Sequence, residues 1–552
     1  MRRAALLLTY LAAAPASAGE PVVLVLDGDV PEGGPDHFFV PFTVPPGTAE
    51  IAVHHDDLSD DNILDWGLED PSGFRGWGGG NSEDAVVGEA AASRSYVAGP
   101  ISPGEWRVVV GKAKILETPA KFSLTVTLRD APTLPAQPER APYVGGVDLG
   151  GGPRWYAGDF HVHSIESGDA APPLDEIADF ARDRGLDFVE VSDHNTLTQL
   201  EFFADAQSRH PDLLFVPGME FTTYAGHANA IGATAWVDHK IGQPGVTIAG
   251  AFAAFAAQGA AVSINHPVLD LGDVCIGCAW KHETPSSLAG VEIATTGLDK
   301  AGKYFTDDAT AYWDALCATG LHLAALGGSD DHRAGQDQSM FQSPIGDPTT
   351  MVFADSLGVD AILAGVRAGR TVVKLQGPAD PMVVLSADAP IEVDTITADE
   401  VQLTATVTGA PAGATVRFVH NGKPGERVDI TEDPFVLTVD AAAPTDGEDR
   451  WRAEVMIGAG PRTITSHVWH RADPSPATTG DPDPSTGDIP TTTATDDSSD
   501  TTGTSSTTTG DTTAAEDPPP AQGCTCTTAP AAPPLFALLL LLRRRPRPCS
   551  RH

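Results

Sequence analysis

The chain has few cysteines and few basic residues for its length. Of its 552 residues, six are cysteines, 34 are lysine or arginine and 75 are aspartate or glutamate, which gives a formal net charge of −41. Six cysteines are too few for a small disulfide scaffold, so that class of protein is excluded. So strong a negative charge repels phosphate groups, and we therefore expect no nucleic-acid partner and no attraction to an anionic membrane surface. The length predicts about three or four structural units, at roughly 100–200 residues each.

The N-terminus has the composition of an export signal. A basic start at Arg2 and Arg3 is followed by an apolar run over residues 4–14 and by the small residues Ala16-Ser17-Ala18. This order of basic, apolar and small residues is typical of a signal peptide. We predict a signal peptide over residues 1–18 and an exported protein; a buried first helix is the alternative.

The C-terminus is predicted to be a linker followed by a sorting tag. Residues 474–520 are rich in Thr, Ser, Asp, Gly and Pro, which predicts a disordered linker because little apolar surface is available for burial. Residues 521–552 contain a Cys524-Thr525-Cys526 motif, a Leu-rich run over 535–542 and three arginines at 543–545. The apolar run is well short of the roughly 20 residues of a stable membrane span. The pattern resembles the MYXO-CTERM class of tags, which implies cell-surface display and recognition by sorting machinery. A weak membrane anchor that stays attached is the alternative.

Two segments have the short apolar alternations and Gly/Pro turns of β structure. Residues 19–139 and 381–471 are each predicted to form a β-sandwich, with strands such as Phe38–Val44 and Thr415–His420. Neither segment holds a catalytic cluster. They are expected to pack against the central domain or to contact a cell-envelope glycan.

The central segment, residues 140–375, alternates predicted strands and helices. Strands are predicted at 156–162, 188–192, 214–220, 261–264, 291–294 and 322–326, and helices at 174–184, 248–257 and 310–319. Repeated β-then-α units predict an α/β domain with a parallel sheet that closes into a barrel. Ligand groups of such a barrel belong at the carboxyl ends of its strands.

Histidines and carboxylates occupy the ends of five of these strands. On a β-strand alternate side chains share a face, so His161 and His163 should point to one side, and Asp330 and His332 should do the same. Glu220 can bridge two cations. Such groups would be costly to bury unpaired, so we predict a cluster of two or three divalent ions. Nitrogen and oxygen donors without thiolate favour Zn, Mn or Fe. The predicted ligands from these motifs are His161, His163, His194, Glu220, His266, Asp330 and His332.

Neighbouring polar residues have supporting roles in this interpretation. Asp193 should orient an imidazole, and Asn265 should likewise lie beside the ligands. Asn195 or Thr196 should cap the following helix. Asp331 should turn away from the ions or support their ligands.

The five motifs together resemble the polymerase-and-histidinol-phosphatase (PHP) family of metal-dependent hydrolases. They are His161-x-His163, Asp193-His194-Asn195, Glu220, Asn265-His266-Pro267 and Gly328-Ser329-Asp330-x-His332. The resemblance implies a distorted (β/α)7 barrel that binds two or three Zn, Mn or Fe ions. It also implies a further ligand at Asp169, whereas Glu292 is left out of the predicted set. The export signal, the β segments and the Gly226-His227 turn are most similar to the carbaryl-hydrolase (CehA/McbA-like) branch.

These motifs predict an enzyme that hydrolyses a small-molecule ester with a metal-activated hydroxide. A phosphoester is the leading substrate class, because the wider family is dominated by phosphoesterases, and Arg333 could hold a phosphate. A carboxyl or carbamate ester is the alternative, and a non-catalytic surface-displayed binding protein is a third. His227, Asp330 and His332 are the candidates for protonating the leaving group, and His227 could instead bind substrate.

Two cysteines lie close together in the central segment. In an oxidising compartment Cys275 and Cys278 are expected to form a disulfide. With His282 they could instead form part of a zinc site, although no fourth ligand is apparent nearby.

Overall fold

The computed structural model describes residues 19–474, except residues 337, 338 and 341. The predicted signal peptide, the linker beyond residue 474 and the sorting tag lie outside the described residues. Within the described part of the chain, no helix is both long and apolar enough to cross a lipid bilayer.

The first segment, residues 19–139, folds into two antiparallel sheets. One sheet has the strand order β1-β9-β4-β7, with β2 also paired to β9, and the other has the order β3-β8-β5-β6. Alternate side chains of β9 are buried, as the period of two of a half-buried strand requires. Residues from both sheets, among them Ile51, Leu68 and Trp106, share one core and are each at most 1% exposed. The strands are β1 (Val22–Val25), β2 (Gly28–Asp29), β3 (His37–Val44), β4 (Glu50–Asp56), β5 (Ile63–Asp70), β6 (Gly73–Gly79), β7 (Ala85–Gly88), β8 (Gly104–Lys114) and β9 (Lys121–Arg129).

The central segment is mixed α/β. Its helices are α1 (Leu174–Asp183), α2 (Phe203–Arg209), α3 (Ile248–Ala257), α4 (Gly302–Cys317) and α5 (Val359–Arg367). Its strands are β10 (Arg154–Val162), β11 (Phe188–Val191), β12 (Leu214–Pro217), β13 (Glu220–Thr223), β14 (Gly226–Ile231), β15 (Ala261–Ile264), β16 (Gly290–Thr295), β17 (Ala324–Gly328), β18 (Thr349–Ala354) and β19 (Thr371–Lys374).

These strands belong to two sheets. One contains β12-β11-β10-β18-β19 and the other β13-β14-β15-β16-β17. Isolated parallel bridges join the sheets at Val162↔Asp331 and at His194↔Glu220. The closed seven-stranded barrel remains a prediction.

The expectation of a parallel sheet is wrong for part of the segment. Strands β13 and β14 pair antiparallel, as do β18 and β19. The β13–β14 connection is only two residues long, Tyr224 and Ala225, and so short a link can join only antiparallel neighbours.

The predicted strand over 214–220 is in fact two strands in different sheets. The chain leaves β12 at Pro217 and enters β13 at Glu220, and Gly218 lies between them. A Cβ atom at Gly218 would lie 1.9 Å from Oε1 of the buried Glu190, so a larger residue at this crossing would displace that side chain. The predicted helix over 310–319 also differs, because α4 begins at Gly302.

The third segment continues the first central sheet. Strand β19 pairs with β28, which places Val373 opposite Ile464 in one continuous sheet. A separate three-stranded sheet has the order β20-β22-β26. The strands are β20 (Met382–Ala387), β21 (Thr395–Thr397), β22 (Glu400–Thr408), β23 (Thr415–His420), β24 (Lys423–Pro424), β25 (Val428–Asp429), β26 (Phe435–Ala442), β27 (Asp449–Ile457), β28 (Gly460–Thr465) and β29 (Val468–Arg471).

Candidate metal centre

The first two histidines lie where β10 ends. His161 is the penultimate residue of the strand and His163 follows its last residue, Val162. Both rings are at most 1% exposed, and their centroids are 5.1 Å apart. Val162 points instead into an apolar core, as alternation along the strand requires.

Glu220, the first residue of β13, lies among five imidazoles. Its Oε1 is 3.3 Å from Nε2 of His161, from Nδ1 of His227 and from Nε2 of His266. Its Oε2 is 2.7 Å from Nδ1 of His194 and 3.6 Å from Nε2 of His163. Burial alone would raise the pKa of Glu220, but the surrounding imidazoles outweigh it and hold the pKa well below its usual range. The carboxylate is therefore charged and faces several nitrogen donors.

Asp330 contacts two of the same histidines. Its Oδ1 is 3.3 Å from Nε2 of His161 and 3.2 Å from Nε2 of His163. The prediction that strand alternation brings Asp330 and His332 to one face is wrong, because β17 ends at Gly328 and Asp330 has a left-handed φ of 56°. A turn of the backbone, and not the pleat, directs these side chains inward.

Gly328 allows this turn to approach β10. A Cβ atom at position 328 would lie 2.3 Å from Cβ of His161. A larger residue would push the loop carrying Asp330 away from the histidines.

Asp169 and His332 form the more open side of the cluster. Oδ2 of Asp169 is 3.4 Å from Nε2 of His194 and 3.4 Å from Nε2 of His332. The rings of His332 and His163 stack with centroids 4.1 Å apart. The side chain of Asp169 is 58% exposed and that of His332 is 13% exposed, whereas Glu220 is fully buried. Solvent and ligands therefore reach the cluster from the Asp169 side.

The two stacked histidines have opposite pKa shifts. Burial, with the charges of His332 and His194, lowers the pKa of His163 to about 3, so this ring is neutral. Burial opposes protonation of His332 as well, but Asp169 and Asp330 outweigh it and raise the pKa to about 9.

The donor atoms are close enough to share ions. Ligand atoms lie within 4.8 Å of one another in four groups: His163, His194 and His332; His227, His266 and Cys278; His161, His266 and Glu292; and His161, His163 and Asp330. Two of these buried nitrogens, Nδ1 of His163 and Nε2 of His227, have no hydrogen-bond partner. Buried polar atoms are rarely left unpaired, so divalent ions fit this donor set.

The supporting residues are arranged differently from the prediction. Asn265 does lie beside Glu220, because its Nδ2 donates to Oε1 at 2.9 Å. Asp193 does not orient an imidazole: its carboxylate accepts hydrogen bonds from the backbone N and the Oγ of Ser164, both at 2.6 Å. Burial raises the pKa of Asp193 to about 8.

The predicted helix caps also need correction, whereas Asp331 takes one of its two predicted orientations. Asn195 does not cap a helix; its side chain exchanges two 2.9 Å hydrogen bonds with the backbone of Thr222. Thr196 instead accepts from the backbone N of Thr198 within the turn. Asp331 turns away and accepts from the backbone N of Arg333, Gly335 and Ile345.

Glu292 lies at the centre although it was left out of the predicted ligand set. Its Oε1 is 3.2 Å from Nδ1 of His161, and its Oε2 accepts from the backbone N of His266 at 2.8 Å. Glu292 lies within β16 and not at its end, so its place in the sequence did not show that it reaches the ions. Glu292 is the only charged residue of β16, whose other residues are mostly apolar, and this was the available signal.

Asp159 belongs to the first histidine motif but was given no role from the sequence. Its carboxylate accepts from the backbone N of His161 and Ser329, both at 3.0 Å, and from Gly346 at 2.7 Å. Burial raises its pKa to about 7. Asp159 therefore joins the two strand ends that carry His161 and Asp330.

The remaining predicted residues have distinct surroundings. Arg333 is exposed in the loop after His332. Cys275 and Cys278 are joined by a disulfide, and His282 instead contacts Oγ1 of Thr223 at 2.7 Å.

The first β segment reaches the edge of the centre. Arg94 donates to the carbonyls of Gly168 and Ala170, which flank Asp169, at 3.0 and 2.9 Å. Asp65 accepts from the hydroxyl of Tyr224 at 2.7 Å. The β segment thus packs directly on the loop that carries Asp169.

No protein-family model matches the chain, and no curated protein matches it either. Among solved structures, this chain is similar to a two-domain protein from Bacteroides vulgatus, which is described as containing a predicted PHP-like metal-dependent phosphoesterase. The two are 19% identical, and the match covers 58% of this chain and 95% of that one, with a TM-score of 0.34. An amidohydrolase from Chromobacterium violaceum is 17% identical over 34% of this chain and 93% of its own, with a TM-score of 0.23. A protein from Bifidobacterium adolescentis described as a metal-dependent phosphoesterase is 14% identical over 34% and 91%, with a TM-score of 0.25. At these identities and TM-scores, the function has to be argued from the site itself.

Proposed function

We propose that this protein is a metal-dependent hydrolase of ester bonds, with a phosphoester as its leading substrate class. The observation that carries the proposal is the position of Glu220, a fully buried carboxylate with imidazole nitrogens of His161, His194, His227 and His266 at 2.7–3.3 Å. Such a group of nitrogen and oxygen donors binds Zn, Mn or Fe, and we propose two or three ions.

The ligands divide into a deep group and an accessible group. His161, His163 and Glu220 are at most 1% exposed and would hold ions without contacting substrate. The side chains of His194, Asp330 and His332 are 13–22% exposed and border the open side. Divalent ions in such a site polarise a phosphoryl or acyl oxygen and make water a better nucleophile near neutral pH. No side-chain nucleophile is needed.

His332 can either bind an ion or protonate the leaving group through Nε2, because one nitrogen cannot do both at once. Its Nδ1 contacts the backbone carbonyl of Asp330 at 2.9 Å, which orients the ring so that Nε2 faces the open side near Asp169. His227 is less suited, because its ring is 4% exposed and Nδ1 faces Glu220. Arg333, exposed next to His332, would hold an anionic group of the substrate.

We further propose export and surface display. Support comes from the sequences of residues 1–18 and 521–552 and from the Cys275–Cys278 disulfide, which suits an oxidising compartment. Mass spectrometry of the protein purified from its native cells should find an N-terminus near Gly19; an intact Met1 would contradict export by this route.

The test combines elemental analysis with an ester panel. The purified chain should contain two or three divalent ions and hydrolyse phosphomonoesters or phosphodiesters; chelation should abolish turnover, and Zn²⁺ or Mn²⁺ should restore it. Cleavage only of carboxyl or carbamate esters would assign the alternative CehA/McbA-like activity. Bound metal without turnover of any ester would identify a non-catalytic binding protein.

A further inference from the structure

The Cys275–Cys278 disulfide lies against the metal centre. Both cysteines are in the loop between β15 and β16, shortly after His266. Cys278 is 1% exposed, and its backbone carbonyl is 3.1 Å from Nδ1 of His266. The disulfide is therefore part of the wall of the centre.

The sulfur of Cys278 belongs to a compact group of donors. It lies within 4.8 Å of a ring nitrogen of His227 and of a ring nitrogen of His266, which also lie within that distance of each other. All three residues are buried. Nε2 of His227 has no hydrogen-bond partner. Two nitrogens and a sulfur at this separation match a known type of zinc ligand set, but a sulfur within a disulfide is a poor ligand.

The two sulfurs differ in their access to solvent. Cys275 is half-buried and, with Tyr224 and Lys281, lines a cavity of about 190 Å³ that extends from the first β segment to this loop. Cys278 borders the same cavity but has almost no exposed surface. An incoming thiolate attacks the more accessible sulfur, which makes Cys275 the point of attack and Cys278 the leaving group.

We infer that reduction of the Cys275–Cys278 disulfide releases the Cys278 sulfur as an additional ligand, together with His227 and His266, for a metal ion of the centre. This inference rests on the proposed metal centre. A thiolate of a small dithiol attacks Sγ of Cys275, the bond to Cys278 breaks, and Cys278 leaves as a thiolate. The second thiol of the reductant then displaces Cys275, so that the dithiol is oxidised to a disulfide and the protein gains two reduced cysteines. The redox state of the loop thus sets the ligands of the ion.

The test uses Co²⁺ bound to the full-length chain. A cobalt–thiolate bond produces a sulfur-to-metal charge-transfer absorption in the near ultraviolet, which nitrogen and oxygen ligands do not produce. Cys275→Ser, which removes the disulfide partner of Cys278, should show this absorption when purified under reducing conditions. Oxidised wild type and the double variant Cys275→Ser/Cys278→Ser should lack it. The wild type is reduced with a dithiol, separated from the reductant under anaerobic conditions and then loaded with Co²⁺. After this treatment it should show the charge-transfer absorption.

X-ray absorption of the zinc-loaded wild type provides a test without substitutions. Reduction should add a sulfur neighbour at about 2.3 Å from the zinc. A second outcome is that Cys275→Ser binds as much cobalt as the wild type but shows no charge-transfer absorption. That result would overturn the inference and leave the metal centre intact. Failure of every protein, wild type included, to bind cobalt or zinc would overturn the metal centre and this inference with it.

Discussion

Oε1 of Glu292 lies 3.2 Å from Nδ1 of His161, and this contact leaves Nε2 of the same ring to face Glu220 and Asp330. The carboxylate therefore fixes which nitrogen of His161 is available to an ion. Carboxylates that orient metal-bound histidines in this way contribute strongly to metal affinity.

Glu292→Gln should weaken metal binding by about 10–100-fold, because the amide orients the ring less well than the carboxylate. Titration with a competing chelator measures the affinity. Glu283→Gln, at an exposed position, is the matched control and should bind metal as the wild type does. Unchanged affinity in Glu292→Gln would show that this contact does not position the ring.

Glu220→Gln should weaken metal binding more than Glu292→Gln does, by on the order of 100-fold or more, since a direct ligand should exceed the 10–100-fold effect of a supporting one. The isosteric amide keeps the volume of this fully buried site. Elemental analysis after dialysis should show a loss of at least one ion, with ester hydrolysis falling in parallel. Full metal content together with full activity would remove Glu220 from the ligands.

Arg94→Ala should loosen the loop that carries Asp169. Arg94 donates to the carbonyls of Gly168 and Ala170, and the loss of two charge-assisted hydrogen bonds should increase the mobility of that loop. We expect faster hydrogen exchange over residues 165–171. We also expect a metal affinity about tenfold lower, which corresponds to ~1.4 kcal/mol. Arg107→Ala, in the same β segment but paired with Glu69, is the control and should change neither quantity. Equal exchange rates in the two variants would contradict the role of Arg94.

The packing of the first β segment on the central segment should weaken in acid. His37 is 6% exposed with its ring stacked on Tyr224, and burial, aided by the charge of Lys240, lowers its pKa to about 4. The unfolded chain takes up this proton near pH 6.5 but the folded chain only near pH 4. The contribution of His37 to the free energy of unfolding is therefore fully present above pH 6.5. It is lost as the pH falls toward 4, by about 3 kcal/mol in total.

His37→Phe should reduce this dependence of the melting temperature on pH between 7 and 4. His54→Phe, at a position whose side chain is 60% exposed, serves as the control and should keep the wild-type dependence. An identical pH profile for His37→Phe and the wild type would show that the acid sensitivity arises elsewhere.

Much of the candidate site was accessible from local patterns. The positions of His161 and His163 follow from the period of two of β10, and several elements, such as α3 and β15, match their predicted bounds. The crossing at Gly218 was not predictable in the same way, because residues 214–220 have the apolar composition of one strand. Only the change of sheet shows that Glu220 begins a new strand.

The amino-acid sequence by itself determined which donor types the protein carries and that they lie near the ends of strands, because side-chain direction along a strand is a local property of the backbone. Only the tertiary structure decided which of them meet. Glu292 contacts His161 across 131 residues of sequence, and Arg94 contacts Gly168 across 74. Such contacts depend on how whole sheets pack against one another, and no local pattern of residues encodes that packing.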